Sequence, residues 1–137
     1  MKLIIENGNL FDVDYNNKYY LVHCISADCK MGAGIAVEFN RKFKLKEKIG
    51  YVKVGEAKQI ERVFNLITKE NYFDKPNFFD FIDTLVALRV ACLQSEIKYL
   101  AMPKIGCGLD GLDWGKVVQS IELAFKDIDI EILVRYL

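Results

Sequence analysis

Two short stretches carry residue types and spacings suited to binding an anion. Ser26-Ala27-Asp28-Cys29-Lys30-Met31-Gly32-Ala33-Gly34 leads from a strand pattern into a helix pattern, and Pro103-Lys104-Ile105-Gly106-Cys107-Gly108-Leu109-Asp110-Gly111 does the same again. Glycine has no Cβ, so its backbone approaches a ligand closely and takes up positive φ. Successive N–H groups in such turns cradle anions, and the helix N-terminus that follows adds partial positive charge. Two such turns on neighbouring strands would grip a pyrophosphate from both sides. Together they predict one site for a nucleotide-type diphosphate ligand.

Either loop alone reads as ordinary turn chemistry. Gly106-x-Gly108-x-x-Gly111 has the letters of a dinucleotide fingerprint but lies late in the chain. No acidic residue follows at the end of a next strand about 20 residues on. The Walker pattern is absent, which argues against phosphoryl transfer. Taken alone, Lys69 is a solvated charge at a strand end and Asp110 a turn or capping residue. His23 reads equally as an orienting group for the loop or a ribose and as a half-buried structural histidine. Cys107 has no second histidine to activate it, so small-residue packing is the preferred reading. Tyr72 and Phe73 either cover a bound sugar or pack the loop.

These groups need a scaffold. Residues 2–6, 18–24, 62–68, 97–102 and 129–136 read as strands. Ile35, Phe39 and Phe43 recur every four residues and predict a helix from Gly34 to about Lys44. Residues 77–94 form a second helix, capped by Asn77, with Phe78, Ile82, Leu85, Leu88 and Cys92 as its stripe. Residues 114–126 form a third, capped by Asp113, with Val117, Val118, Ile121, Ala124 and Phe125 facing inward. Between residues 45 and 61 the pattern suggests part of a helix, a break at Gly55 and a short edge strand. Strands alternating with helices predict an α/β class, with a largely parallel sheet covered on both faces. In such sheets ligands sit beyond the carboxyl ends of the strands.

The 137 residues suit a single domain, 1–137, and 52% hydrophobic content fills a core. With 19 basic and 19 acidic residues, no global excess of positive charge marks a nucleic-acid platform. Lys42, Lys44, Lys46 and Lys48 are read as a solvated helix end. The four cysteines form no Cys-x-x-Cys pair and His23 is the only histidine, so structural zinc is not expected. Buried, reduced thiols are. No run approaches a membrane span or a signal peptide. The expectation is a soluble protein with no membrane partner, cytoplasmic or, in a eukaryote, nuclear.

The segments His23-Cys24-Ile25-Ser26, Met31-Gly32-Ala33-Gly34-Ile35-Ala36, Leu66-Ile67-Thr68-Lys69, Lys75-Pro76 and Met102-Pro103-Lys104-Ile105-Gly106-Cys107-Gly108-Leu109-Asp110 resemble the macrodomain family. Within it they are most like the stand-alone terminal ADP-ribose glycohydrolases. The resemblance runs from Gly8 to Leu137 and is poor over residues 44–62. It implies a three-layer α/β/α fold with a mixed sheet, and ADP-ribose as ligand with its diphosphate between the two loops. It implies Lys69 as the nucleophile on the distal ribose and Asp110 as the acid/base that helps release the adduct. The other ligand-binding positions it implies are Gly8, Asn9, Leu10, His23, Ser26, Met31, Gly32, Ala33, Gly34, Ile35, Pro103, Ile105, Gly106, Cys107, Gly108 and Leu109.

Two positions depart from the family pattern. Asn9 stands where an aspartate usually contacts adenine, and Arg135 where an aromatic usually stacks. Asparagine still accepts from an exocyclic amine, and a guanidinium also stacks. Tyr136 is adjacent to Arg135 but faces the other side of its strand. The implied activity is an ADP-ribosyl hydrolase that removes ester-linked or nucleobase-linked ADP-ribose, needing no metal and no cofactor. Its substrates would be ADP-ribosylated protein, ADP-ribosylated DNA or O-acetyl-ADP-ribose. A non-catalytic ADP-ribose reader and an ADP-ribose 1″-phosphate phosphatase are the alternatives. A monomer is expected.

Overall fold

In the computed structural model, which describes residues 1–137, the alternating patterns become ten regular elements in chain order. They are β1 (Lys2–Asn7), β2 (Tyr20–Ser26), α1 (Ile35–Phe43), α2 (Leu45–Lys48), β3 (Ala57–Ile60), β4 (Val63–Lys69), α3 (Phe78–Gln94), β5 (Tyr99–Met102), α4 (Trp114–Phe125) and β6 (Glu131–Tyr136). The sheet order is β1-β6-β5-β2-β4-β3. Every neighbouring pair is parallel except β3 with β4, so the sheet is mixed and largely parallel, as the sequence leads one to expect.

Burial on both faces explains the apolar runs. Along β2, Leu21 and Ile25 point to one face while Val22 and Cys24 point to the other, the period-2 alternation of a strand. Val22, Phe64, Leu66, Leu100, Ile132 and Val134 pack against Phe81, Leu85 and Leu88 of α3 and Val117, Ile121 and Phe125 of α4. On the opposite face Leu21, Val63, Ile67, Ala101 and Leu133 pack against Phe39 of α1 and Leu45 of α2. The result is a three-layer α/β/α arrangement.

Several boundaries differ from the sequence reading. β2 and β4 extend to Ser26 and Lys69 because these two residues pair across the ladder, so both sit on strands rather than in loops. The stripes shift as well. On α3, Phe81 and Thr84 are fully buried while Phe78 and Ile82 are only half-buried. On α4, Ser120 joins Val117, Ile121 and Phe125, while Val118 and Ala124 are half-buried. Ile35 is exposed at the start of α1 and does not share the buried face of Phe39. Both expected caps form: Asn77 Oδ1 accepts from Phe79 N at 2.8 Å, and Asp113 Oδ1 accepts from Gly115 N at 3.3 Å.

The strands are joined unequally. β5 meets β2 at only two register pairs, Tyr20↔Leu100 and Leu21↔Ala101, but meets β6 at four, from Tyr99↔Glu131 to Met102↔Val134. β1 pairs with β6 alone.

Candidate active site

β2 lies between β5 and β4, so three strand ends open side by side. The loop after β2, the loop after β5 and the end of β4 enclose a cleft of about 1010 Å³. That volume suits a nucleotide-sized ligand. A register shift between Ile25 and Ser26 pairs Ile25 with Ile67 but Ser26 with Lys69, which leaves Thr68 as an extra residue in β4. Such a bulge re-aims the side chain beyond it. Here it sets Lys69 beside the end of β2.

The first loop is held in a tight path. Cys29 and Met31 have φ of 55° and 47°, and Met31 is buried. Gly34, at φ 62°, starts α1 with no side-chain cap, so the first N–H groups of the helix are left for a ligand. In the second loop Gly106 and Gly108 have φ of 73° and 76°. A Cβ on Gly106 would stand 2.7 Å from Leu112 Cδ1 and 3.4 Å from Phe81 Cε1. A Cβ on Gly108 would meet nothing within 4 Å. Gly106 is thus required by packing below the loop, whereas Gly108 keeps the cleft floor open. The two loops approach each other where Gly34 lies under Leu109 Cδ1, 3.6 Å from the position of a Cβ.

Lys69 Nζ donates to Asp110 Oδ1 at 2.7 Å and to Tyr72 O at 3.0 Å. The side chains are 14% and 19% exposed, so the pair is accessible from the cleft yet largely shielded from bulk water. Lys75 Nζ donates to Leu109 O and ties the segment after β4 to the second loop. A lysine and a carboxylate in this geometry suit nucleophilic attack with proton exchange between them.

The cysteines offer no competing nucleophile. Burial, then the Asp110 charge, pushes the Cys24 thiol well above its usual range. Burial also raises Cys107, against the opposing pull of Lys104. All four thiols are free, but only Cys92 is fully buried; Cys24, Cys29 and Cys107 are half-buried, and Cys24 and Cys107 border the cleft.

Of the positions singled out in the sequence, Ser26, Met31, Gly32, Ala33, Gly34, Ile35 and Lys69 line the cleft, as do Pro103, Ile105, Gly106, Cys107, Gly108, Leu109 and Asp110. Four do not. His23 is fully buried, stacked on Phe39 with ring centroids 3.9 Å apart, and bonded through Nε2 to Asn65 Oδ1 at 2.6 Å. Asn65 Nδ2 donates to Lys58 O, which turns Oδ1 toward the imidazole and makes Nε2 the protonated nitrogen. Burial lowers the His23 pKa to about 4, so the ring is neutral and structural. Gly8, Asn9 and Leu10 follow β1 at the far edge of the sheet. Asn9 Oδ1 is already engaged by Phe11 N at 2.9 Å, Leu10 is buried, and the Arg135 side chain lies over Gly8.

Other cleft residues stand in or beside the sequence motifs with no role assigned to them: Lys30, Lys75 and Lys104 line it, and so does Lys46 of the lysine cluster expected to form a solvated helix end. Their positive charge around the opening was masked by a net charge of zero.

No protein-family model matches the chain. It is 42% identical over 133 residues to ADP-ribose glycohydrolase OARD1 of Bos taurus, covering 93% of this chain and 86% of that protein. It is 42% identical over 120 residues to the Homo sapiens protein of the same name, covering 83% and 79%. Among solved structures, the macrodomain of Thermus aquaticus DarG superposes with a TM-score of 0.84 at 25% identity, over 98% of each chain. With the α/β/α layers, the paired glycine loops and these likenesses together, the chain belongs to the macrodomain family of ADP-ribose glycohydrolases.

Proposed function

We propose that this chain is an ADP-ribosyl hydrolase that frees ADP-ribose from ester-linked or nucleobase-linked adducts, with Lys69 as nucleophile and Asp110 as acid and base. The observation that carries the reading is the 2.7 Å contact between these side chains inside the cleft made by both glycine loops. The relatives named ADP-ribose glycohydrolase support it.

The diphosphate would lie between the N–H groups of residues 32–36 and those of Gly106, Gly108 and Leu109, with the distal ribose toward Lys69. Lysine attacks only as the neutral amine, so its proton first passes to the Asp110 carboxylate. The amine forms a bond to the anomeric carbon as the bond from that carbon to the leaving group breaks. The leaving group takes the electron pair, and Asp110 returns the proton to it. Asp110, again a carboxylate, then takes a proton from water as the water oxygen displaces the lysine, which leaves as the neutral amine and recovers its proton from Asp110. The products are free ADP-ribose, the unmodified acceptor and the original lysine–aspartate pair.

The experiment is parallel incubation with a peptide carrying ADP-ribose on glutamate, an oligonucleotide carrying it on a base, and O-acetyl-ADP-ribose. Release of ADP-ribose from at least one of them, lost in Lys69→Ala, is the expected result. Full activity in Lys69→Ala would sink the covalent mechanism. Ligand affinity with no product from any substrate would leave a reader.

A further inference from the structure

Asp28 forms no part of the cleft wall, yet its carboxylate gathers three donors beside it. Oδ1 accepts from Ser26 Oγ at 2.5 Å, at the end of β2, and from Lys30 N at 3.2 Å, within its own loop. Oδ2 reaches across the chain to accept from Tyr72 N at 2.9 Å. The backbone follows the same route: Ala27 N donates to Lys69 O at 2.8 Å and Asp28 N to Glu70 O at 3.1 Å. The first glycine loop is therefore stitched to the segment that follows the nucleophile's strand.

Residue 72 is where this stitching meets the chemistry. Its carbonyl accepts from Lys69 Nζ at 3.0 Å, beside the 2.7 Å contact from Nζ to Asp110. The amine thus hangs between two anchors, one on the second loop and one on residue 72. Asp74 Oδ2 accepts from Asn71 N at 3.0 Å and closes the turn around residue 72, and apart from Lys69 itself Asp28 is the side chain that ties the residue 72 backbone to the rest of the site. A simple brace for the first loop would need Oδ1 alone.

We infer that Asp28 is a positioning residue for Lys69, holding the Tyr72 backbone so that its carbonyl aims the amine. The inference rests on reading Lys69 as the nucleophile. Burial alone would raise the Asp28 carboxyl, but the bonds from Ser26, Tyr72 and Lys30 outweigh it and hold the group below the usual carboxylate range. It is therefore an acceptor at neutral pH, as all three contacts require. Asp28 is exposed and belongs to neither core cluster, so its replacement leaves the packing intact.

The test uses the full chain and whichever of the glutamate-linked or base-linked substrates it cleaves. Asp28→Ala is expected to lower kcat about 10-fold, the scale of one hydrogen bond to a charged group. KM, and the Kd for ADP-ribose by calorimetry, should stay within about 3-fold, because Asp28 itself forms no part of the cleft wall and the backbone bonds from Ala27 N to Lys69 O and from residue 28 N to Glu70 O still hold the loop in place. Asp28→Glu should recover part of the rate. If Asp28→Ala fails to fold, the near-isosteric Asp28→Leu, which also lacks an acceptor for Tyr72 N, carries the same expectation. In a Lys69→Ala background, adding Asp28→Ala should change the residual rate no further, since no amine remains to be aimed. Unchanged kcat in Asp28→Ala, a matching loss of ADP-ribose affinity, or additive losses in the double variant would each overturn the inference. An inactive Lys69→Ala beside an unimpaired Asp28→Ala removes this inference alone; a fully active Lys69→Ala removes both readings.

Discussion

Lys69 Nζ and Asp110 Oδ1 stand 2.7 Å apart although 41 positions separate the residues in the chain. The bulge at the end of β4 brings the amine in from one side, and the short turn at residues 108–110 brings the carboxylate from the other. Each side chain keeps some exposure, 14% and 19%, so the pair costs less to desolvate than a deeply buried one.

That balance separates activity from stability. Asp110→Ala leaves the lysine bonded to Tyr72 O but without its counter-charge in a largely shielded site, and the unfolding free energy should fall by about 1–3 kcal/mol. Turnover should fall by roughly 10²–10⁴, the usual scale for a lost acid/base. Thermal unfolding and product release measured on the same samples test this. A large loss of stability with a matching loss of rate would mean that the pair is structural.

Two glycines of the second loop should respond differently to alanine. At Gly106 positive φ and a 2.7 Å approach to Leu112 combine, and Gly106→Ala should destabilise the protein by about 2–4 kcal/mol. At Gly108 only the φ of 76° matters, so Gly108→Ala should cost about 1–2 kcal/mol. The new methyl at Gly108 borders the open cleft, so ADP-ribose affinity should drop there by more than the stability loss explains. Urea unfolding and calorimetric titration give the two numbers.

His23 gives the fold an acid limit. Its pKa of about 4 in the folded chain lies below the ordinary 6.5. Between these values the unfolded chain holds a proton that the folded chain does not. The stability from the neutral ring is complete above pH 6.5 and is lost progressively as pH falls to about 4, on the order of 3 kcal/mol. His23→Gln removes the titration and should flatten that part of a stability-against-pH curve. Asp28, whose value is also depressed, acts below its ordinary 3.8 and leaves this window clear. An unchanged slope in His23→Gln would contradict the assignment.

Tyr72 and Phe73 stand 60% and 70% exposed at the cleft mouth, edge to face with centroids 5.4 Å apart. Tyr72→Ala and Phe73→Ala should leave melting temperature nearly unchanged, since little apolar area is lost from the interior. KM for an ADP-ribosylated peptide or oligonucleotide should rise about 3- to 10-fold, while Kd for free ADP-ribose moves little. Equal effects on both ligands would place the rings over the sugar and not over the attached group.

Much of this was legible in the chain. Apolar runs broken by glycine turns point to the layers, and strand–loop–helix order points to the two glycine loops that line the cleft, because backbone periodicity is local. Side-chain pairing is not local. A histidine near a strand end looks like a ligand until the β2–β4 register sets it opposite Asn65 and under Phe39. The extra residue at Thr68 leaves no mark in composition, yet it decides where Lys69 points. Asn9 keeps the acceptor its position suggests, but the turn at residues 10–12 takes that acceptor for itself.

The unequal seams of the sheet bear on how the protein is made. β5 carries the loop that ends in Asp110, and its longer seam is with β6, the last strand of the domain to be synthesised. Lys69 and the first glycine loop leave the ribosome well before the strand that steadies their counterpart. Glu131–Tyr136 lies between β1 and β5 and supplies the longer of the two seams that hold β5. A nascent or prematurely terminated chain lacking those six residues would carry every proposed catalytic side chain but not the strand that joins β1 to the rest of the sheet and forms the longer seam of β5.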